Sequence, residues 1–204
     1  MGEYGVSSGN GALGVRGSIM KNVWEVWTAA LNADECDAIV AKAATYPAKA
    51  ATVGVDQPNR VEHSLRESTI RWIPPQSEPR LVQRIMGYVK AANRSFGFDI
   101  AGLFDIQFTE YHGSRNDKYD WHHDVRLKGP MAYDRKLSVV IQLSAREDYD
   151  GGAFEFSTVE HPGAAFEPRG SVLVFPSFLQ HRVMPVTRGV RHSLVTWVEG
   201  PRWR

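Results

Sequence analysis

The chain has 204 residues, 43% hydrophobic, 11% aromatic and 23% charged, a balance that excludes a disordered tail or a minimal stapled scaffold and provides for a real core. With 24 Lys and Arg against 23 Asp and Glu the formal net charge is +1, so nothing marks a nucleic-acid footprint, and no nucleic-acid partner is expected. The single cysteine, Cys36, excludes intrachain disulfides, thiolate zinc clusters and iron–sulfur sites, and fits a reducing, cytoplasmic setting. No apolar run approaches the roughly 18 residues of a membrane span, the N-terminus lacks the order of a secretory signal, and no membrane association is expected.

In chain order, residues 1–18 hold six Gly and three Ser and read as a flexible leader to a single domain over 19–204. Asn32 with Glu35 has the spacing of a capping box, and Cys36, Ile39, Val40 and Ala43 follow at helical intervals. This predicts a helix to about Tyr46, ahead of Pro47. A second helix is predicted with Ser77 as its cap and Pro79 in its first turn; Leu81, Val82, Ile85, Met86 and Val89 share one face as far as Gly97. Helical support therefore spans about 32–97. The stretch 48–76 between the helices is long for a connection, carries a β-like run at 68–73, and reads as a lid.

After Gly102 the texture changes to short runs rich in β-branched and aromatic residues: 103–111, 137–143, 153–156, 171–175 and 192–198. Turn residues such as Gly113, Gly151–Gly152 and Gly189 separate them. Helices first and strands afterwards predict a mainly β protein with flanking α-helices and a β-sandwich or barrel core over about 102–200.

Within Trp121-His122-His123-Asp124, His122 and Asp124 stand two apart and on an extended strand project to one side. Alone the pair is a weak signal, because this composition yields roughly 0.4 His-x-Asp pairs by chance. His181, 57 residues beyond Asp124 and just past an apolar strand, adds a second imidazole. Two His and one carboxylate on opposing strands bind one face of an octahedron and leave three positions open, which implies catalysis. The bland reading of His181 is a surface residue. On the strand after it, Arg191, Ser193, Val195 and Trp197 share a face; an arginine pointing into a barrel needs an anion, and its planar fork suits a carboxylate.

These residues, in this order, resemble the iron(II)- and 2-oxoglutarate-dependent dioxygenases, and within them the prolyl 4-hydroxylase-like branch. The resemblance rests on His122-x-Asp124, His181, Arg191 ten residues later and Ser193. It also rests on the approach to the first ligand: Tyr111, a turn at Gly113, Tyr119, then His122-His123-Asp124. It covers about 100–200. It implies a double-stranded β-helix, that is, a jelly-roll, cupin-like core, and a catalytic set of His122, Asp124, His181 and Arg191.

The resemblance further implies that His122, Asp124 and His181 hold Fe(II), with 2-oxoglutarate and O2 as cosubstrates. The distal carboxylate of 2-oxoglutarate would lie against Arg191 with help from Ser193, and Tyr111 and Tyr119 would line the same mouth, Tyr111 ranked first. Where relatives complete the pocket with a tyrosine before the Gly-Gly turn, this chain has Gln142. The implied reaction hydroxylates an unactivated C–H bond with release of succinate and CO2, and the expected substrate is C4 of a prolyl residue in a peptide or protein. A free amino acid or other small molecule is the alternative substrate, and a cupin-like metal-binding module without turnover is the alternative function. Ascorbate binding is a further expectation from the resemblance, whereas oligomeric state is not legible.

The remaining candidates read more plainly. Trp24 and Trp27 are packing anchors, His63 and His161 are solvated, and alternation turns His123 and His192 away from the metal face. Arg66, Arg71 and Trp72 either line a substrate groove or are ordinary edge-strand residues.

Overall fold

A computed structural model describes residues 22–51, 64–125 and 132–203. The expected leader, His63 and the middle of the long connection lie outside them. In chain order the elements are β1 (Glu25–Trp27), α1 (Ala33–Ala44), β2 (Lys49–Ala50), β3 (Arg66–Glu67), β4 (Thr69–Ile73), α2 (Pro79–Phe96), β5 (Gly102–His112) and β6 (Lys118–His122). They continue with β7 (Tyr133–Gln142), β8 (Tyr149–Gly151), β9 (Phe154–Phe156), β10 (Val172–Pro176), β11 (His181–Val183) and β12 (Val186–Pro201). No helix among the described residues is long and apolar enough to cross a membrane.

α1 starts as its spacing predicts: the Asn32 side chain accepts from the Glu35 amide and the Glu35 carboxylate accepts from the Asn32 amide. α2 departs from expectation. Its cap is Glu78, without a side-chain bond, because the Pro74–Pro75 pair opens a separate short turn in which the Ser77 hydroxyl donates to Pro74 O at 2.8 Å. The lid reading of 48–76 is also corrected where the chain is described. β3 joins one sheet and β4 the other, so this stretch ties the two sheets together.

The larger sheet runs β1-β10-β7-β12-β5-β4-β2, with β8 on β12, and the smaller runs β3-β6-β11-β9; every pairing is antiparallel. The two sheets face each other in the expected double-stranded β-helix. Alternation along the central strands sorts the side chains. Ile106, Phe108, Val139, Ile141, Val172, Val174, Leu194 and Val198 pack under Ile85, Val89, Ala92 and Phe96 of α2. The opposite faces send Tyr111, Val140, Leu173 and Phe175 inward against Phe154, Phe156 and Val183 of the smaller sheet. Both faces of the larger sheet are thus covered, which is why its strands read as continuous apolar runs. Strands β1, β2, β3, β6, β8 and β11 escaped the sequence reading, being only two to five residues long.

The site depends on how β12 enters the barrel. Gly189, opposite Tyr149 of β8, has φ +68°, and a Cβ there would lie 1.9 Å from Asp148 O. Gly189→Ala is expected to lower stability by about 1–3 kcal/mol, read as a reduced Tm in thermal unfolding followed by circular dichroism. An unchanged Tm contradicts this account of the strand entry.

Candidate active site

β6 and β11 are neighbours, with His122 opposite His181 in register, so the two imidazoles come from adjacent strands of one sheet and not from opposing ones. Their ring centroids are 4.2 Å apart. Each Nδ1 meets a backbone carbonyl two residues upstream: His122 with Asp120 O at 2.8 Å, His181 with Leu179 O at 2.9 Å. A carbonyl only accepts, so both Nδ1 atoms carry the proton and both Nε2 lone pairs are free. His181 is buried, which sets aside its reading as a surface residue.

Asp124 lies beyond the end of β6, not on an extended strand with His122. Its amide and that of Val125 both donate to Ser177 O at 3.0 Å, and this turns the carboxylate inward. Asp124 Oδ1 is 3.9 Å from His122 Nε2, and Oδ2 is 3.6 Å from His181 Nε2. The three ligand atoms fall within 4.8 Å of one another. Donors about 2.1 Å from one ion and at right angles stand about 3 Å apart, so the group fits a single cation after small side-chain adjustments. Two hydroxyls orient the carboxylate. Ser138 Oγ donates to Asp124 Oδ2 at 2.7 Å, and the Ser177 hydroxyl, 2.9 Å away, supplies a proton to Ser138.

The protonation states suit a metal. Burial pushes the His122 imidazole well below the ordinary histidine value, helped by His181, and burial likewise lowers His181. For Asp124 burial alone would raise the pKa, but His181, His122, Arg135 and the Ser138 hydrogen bond outweigh it and bring it to about 2. At neutral pH the group is two neutral imidazoles and a carboxylate.

These ligands open on a cavity of about 40 Å³ that Tyr111, Tyr119, Arg191 and Ser193 also line, so four further residues singled out from the sequence share the space. Arg191 is 2% exposed, and its Nε and Nη1 have no hydrogen-bond partner among the described residues. A buried guanidinium left in that state is costly, and an anionic ligand is the ordinary remedy. Gln142 does not line this cavity. It faces an adjoining one of about 70 Å³, which Arg191 also reaches. His123 is exposed, and His192 lies on the other face of β12 against Phe108, 5.3 Å between rings.

The groove candidates divide. Arg66 is buried, lines the metal cavity and stacks 4.3 Å from the Tyr119 ring, which in turn stacks on His122. Arg71 instead donates to Tyr46 O and pairs with Glu110, as an edge-strand residue does. Trp72 is 39% exposed and sits 6.2 Å from the ring of Trp197, which lines the cavity and carries the Arg135 guanidinium 3.7 Å above it. Sequence reasoning missed Gln107, Ser138 and Ser177. The period-two pattern that ends at Tyr111 would have found Gln107; nothing in the sequence marks the serines.

Residues 106–199 match the sequence model of the 2OG-Fe(II) oxygenase superfamily. A PKHD-type hydroxylase of Synechococcus sp. (strain JA-2-3B'a(2-13)) is 43% identical over 63 residues, 31% of this chain and 28% of the relative, so the match spans under a third of that protein's length. The crystal structure of a Pseudomonas putida prolyl-4-hydroxylase superposes with a TM-score of 0.65 at 25% identity, covering 89% of this chain and 94% of that one. A Trichoplax adhaerens prolyl hydroxylase, solved in complex with a hypoxia inducible factor oxygen degradation domain peptide fragment, shares the fold with a TM-score of 0.65 at 16% identity. It covers 87% of this chain and 84% of that one.

Two measurements check the site. Ser138→Ala leaves a buried carboxylate oxygen without its donor, and Mn(II) affinity measured by calorimetry is expected to weaken about tenfold; an unchanged affinity contradicts the orienting role. Because both imidazoles titrate below 6.5, protons compete with metal only at lower pH. Mn(II) affinity should therefore stay level as pH falls to 6.5 and decline below it, whereas a midpoint at or above 6.5 contradicts the buried, neutral ligand pair.

Proposed function

We propose that this chain, whose residues 106–199 are a 2OG-Fe(II) oxygenase domain of the prolyl 4-hydroxylase-like kind, hydroxylates C4 of prolyl residues in a peptide or protein. The observation that carries the reading is the buried Arg191 guanidinium, whose Nε and Nη1 have no hydrogen-bond partner among the described residues, beside the His122–Asp124–His181 group. It combines a facial set of metal ligands with a cation suited to a diacid cosubstrate. A metal-binding module without turnover needs no such cation.

In this reading His122, Asp124 and His181 hold Fe(II). When bound, the iron supplies the chemistry by which O2 and 2-oxoglutarate give succinate, CO2 and a hydroxylated carbon. The protein's own residues bind, orient and exclude water. Arg191 receives the distal carboxylate as a charge-assisted, two-pronged donor, and Ser193 on the same strand face adds a hydroxyl. Burial raises the Tyr111 phenol, which keeps its proton and donates to the cosubstrate; burial likewise pushes Tyr119 up to about 12, leaving it a neutral donor at the mouth. Val140, Phe154, Val183 and Val195 complete an apolar lining that keeps bulk water from the reacting carbon.

The substrate class is supported by the aromatic corner at the cavity mouth. Trp72, 39% exposed and 6.2 Å from the buried, cavity-lining Trp197, offers a flat apolar face of the kind that Pro-rich, extended segments dock on. The Trichoplax protein was solved with a peptide, and a peptide or protein partner is part of this proposal. Ascorbate as an auxiliary reductant and a cytoplasmic location, the latter suggested by the single Cys36, belong to it as well.

The test is succinate release with Fe(II) and 2-oxoglutarate across prolyl peptides, free amino acids and other small molecules, with ascorbate present and omitted. Prolyl peptides are expected to stimulate turnover most, and stimulation only by a small molecule would replace the substrate assignment. Asp124→Ala should abolish turnover and His123→Ala should retain most of it. Equal losses would show that the wrong partner was chosen in the His-His-Asp run. Arg191→Met should raise the 2-oxoglutarate requirement about thirtyfold, the equivalent of about 2 kcal/mol for a charged hydrogen-bond partner; an unchanged requirement contradicts its role.

A further inference from the structure

The adjoining cavity holds a second unsatisfied group. Gln142, 1% exposed, has no partner for Oε1 among the described residues, although its Nε2 lies 2.6 Å from the Tyr149 hydroxyl and 3.3 Å from Ser144 O. A separation of 2.6 Å is short for N–H···O and ordinary for O–H···O. A half-turn of the carboxamide exchanges its oxygen and nitrogen. The Tyr149 phenol then donates to the amide oxygen, and the amide NH2 takes the position now lacking a partner. The exchange gives up the donation to Ser144 O and leaves the amide oxygen 3.3 Å from that carbonyl oxygen, a long acceptor–acceptor contact set against the short phenol bond at 2.6 Å.

In that orientation the NH2 of Gln142 joins the unpartnered Nε and Nη1 of Arg191 around a cavity that both residues line with Tyr149 and Gly152. Buried N–H groups in such number, with no acceptor among the described residues, call for an anion. Gly152 leaves room for the arrangement, since a Cβ at that position would lie 2.9 Å from Arg191 Cδ. Arg191 and Phe154 line both cavities, so the guanidinium spans from the metal side to the amide side. Gln142 and Ser193 are opposite each other on β7 and β12, which places the amide one strand away from the serine on the metal side.

We propose that Tyr149 is a positioning residue that locks the Gln142 carboxamide with its NH2 group turned toward Arg191, so that amide and guanidinium together seat the distal carboxylate of a 2-oxo diacid. The inference rests on the 2-oxoglutarate reading above and names what completes the seat in a chain with glutamine at this position. Tyr149 itself touches the amide and not the acid. Its influence therefore falls on acids with a distal carboxylate and on no others.

The experiment is calorimetric titration of the Mn(II)-loaded protein under argon with 2-oxoglutarate and with 2-oxobutyrate, which lacks the distal carboxylate. Gln142→Leu and Tyr149→Phe are each expected to weaken 2-oxoglutarate binding about tenfold, as loss of one hydrogen bond to a charged group does, and to leave 2-oxobutyrate unchanged. The double variant should be no weaker than Gln142→Leu, because the phenol acts only through the amide. A Tyr149→Phe protein that binds 2-oxoglutarate as tightly as the parent overturns the proposal. So do equal losses for both acids, or independent losses that add in the double variant. A parent protein that fails to prefer 2-oxoglutarate over 2-oxobutyrate overturns the cosubstrate reading itself, which separates the two failures.

Discussion

The inner face of this barrel carries charge that the protein does not neutralise for itself. A carboxylate held ionised at Asp124 and a guanidinium at Arg191 share one cavity, with two neutral imidazoles on the carboxylate side. Burying charged groups costs several kcal/mol each unless partners are supplied, and Nε and Nη1 of Arg191 lack hydrogen-bond partners among the described residues. The rest of the structure makes that arrangement possible. Two sheets clamped by apolar side chains from both directions hold β6, β11 and β12 in register, and register alone sets which residues meet. On the proposed reading this site receives a cation and an anion side by side.

That constraint explains the division of labour between the layers. α1 and α2 pack on the outer face of the larger sheet, through Cys36, Ile39, Ile85 and Val89, and none of their residues lines the metal cavity. The smaller sheet is less regular. It supplies both imidazoles and, through β3, the Arg66 guanidinium that stacks on Tyr119. Phe154, Phe156 and Phe175 pack around the His181 ring, with centroids 4.8–6.4 Å away, and this aromatic wall produces the depressed histidine basicity. Packing and protonation state are linked here: the same burial that closes the core keeps the two imidazoles free of protons, while their neighbourhood and the Ser138 hydrogen bond keep Asp124 ionised against it.

Much of this was legible from residue order. The period-two face of β12 identified Arg191 and Ser193, and the wide spacing from Asp124 to His181 identified the second imidazole, because both signals are local or count residues along the chain. The Asn32–Glu35 box was legible for the same reason. Contacts fixed only by strand register were not. Ser138 meets Asp124 because β7 passes the end of β6, Tyr149 meets Gln142 because β8 folds back beside β12, and Arg66 reaches the cavity because β3 crosses to the smaller sheet. Ser77 misled because its favourable cap chemistry was overridden by the two prolines ahead of it.

The central claim is that one ferrous ion and one 2-oxo diacid occupy adjoining places on this inner face. Optical titration under argon tests it most directly: the protein is loaded with one equivalent of Fe(II), and 2-oxoglutarate is then added. The account predicts a visible charge-transfer absorption that saturates at one diacid per chain and fails to form in Asp124→Ala. A spectrum that stays featureless with the intact protein, while iron is demonstrably bound, contradicts it.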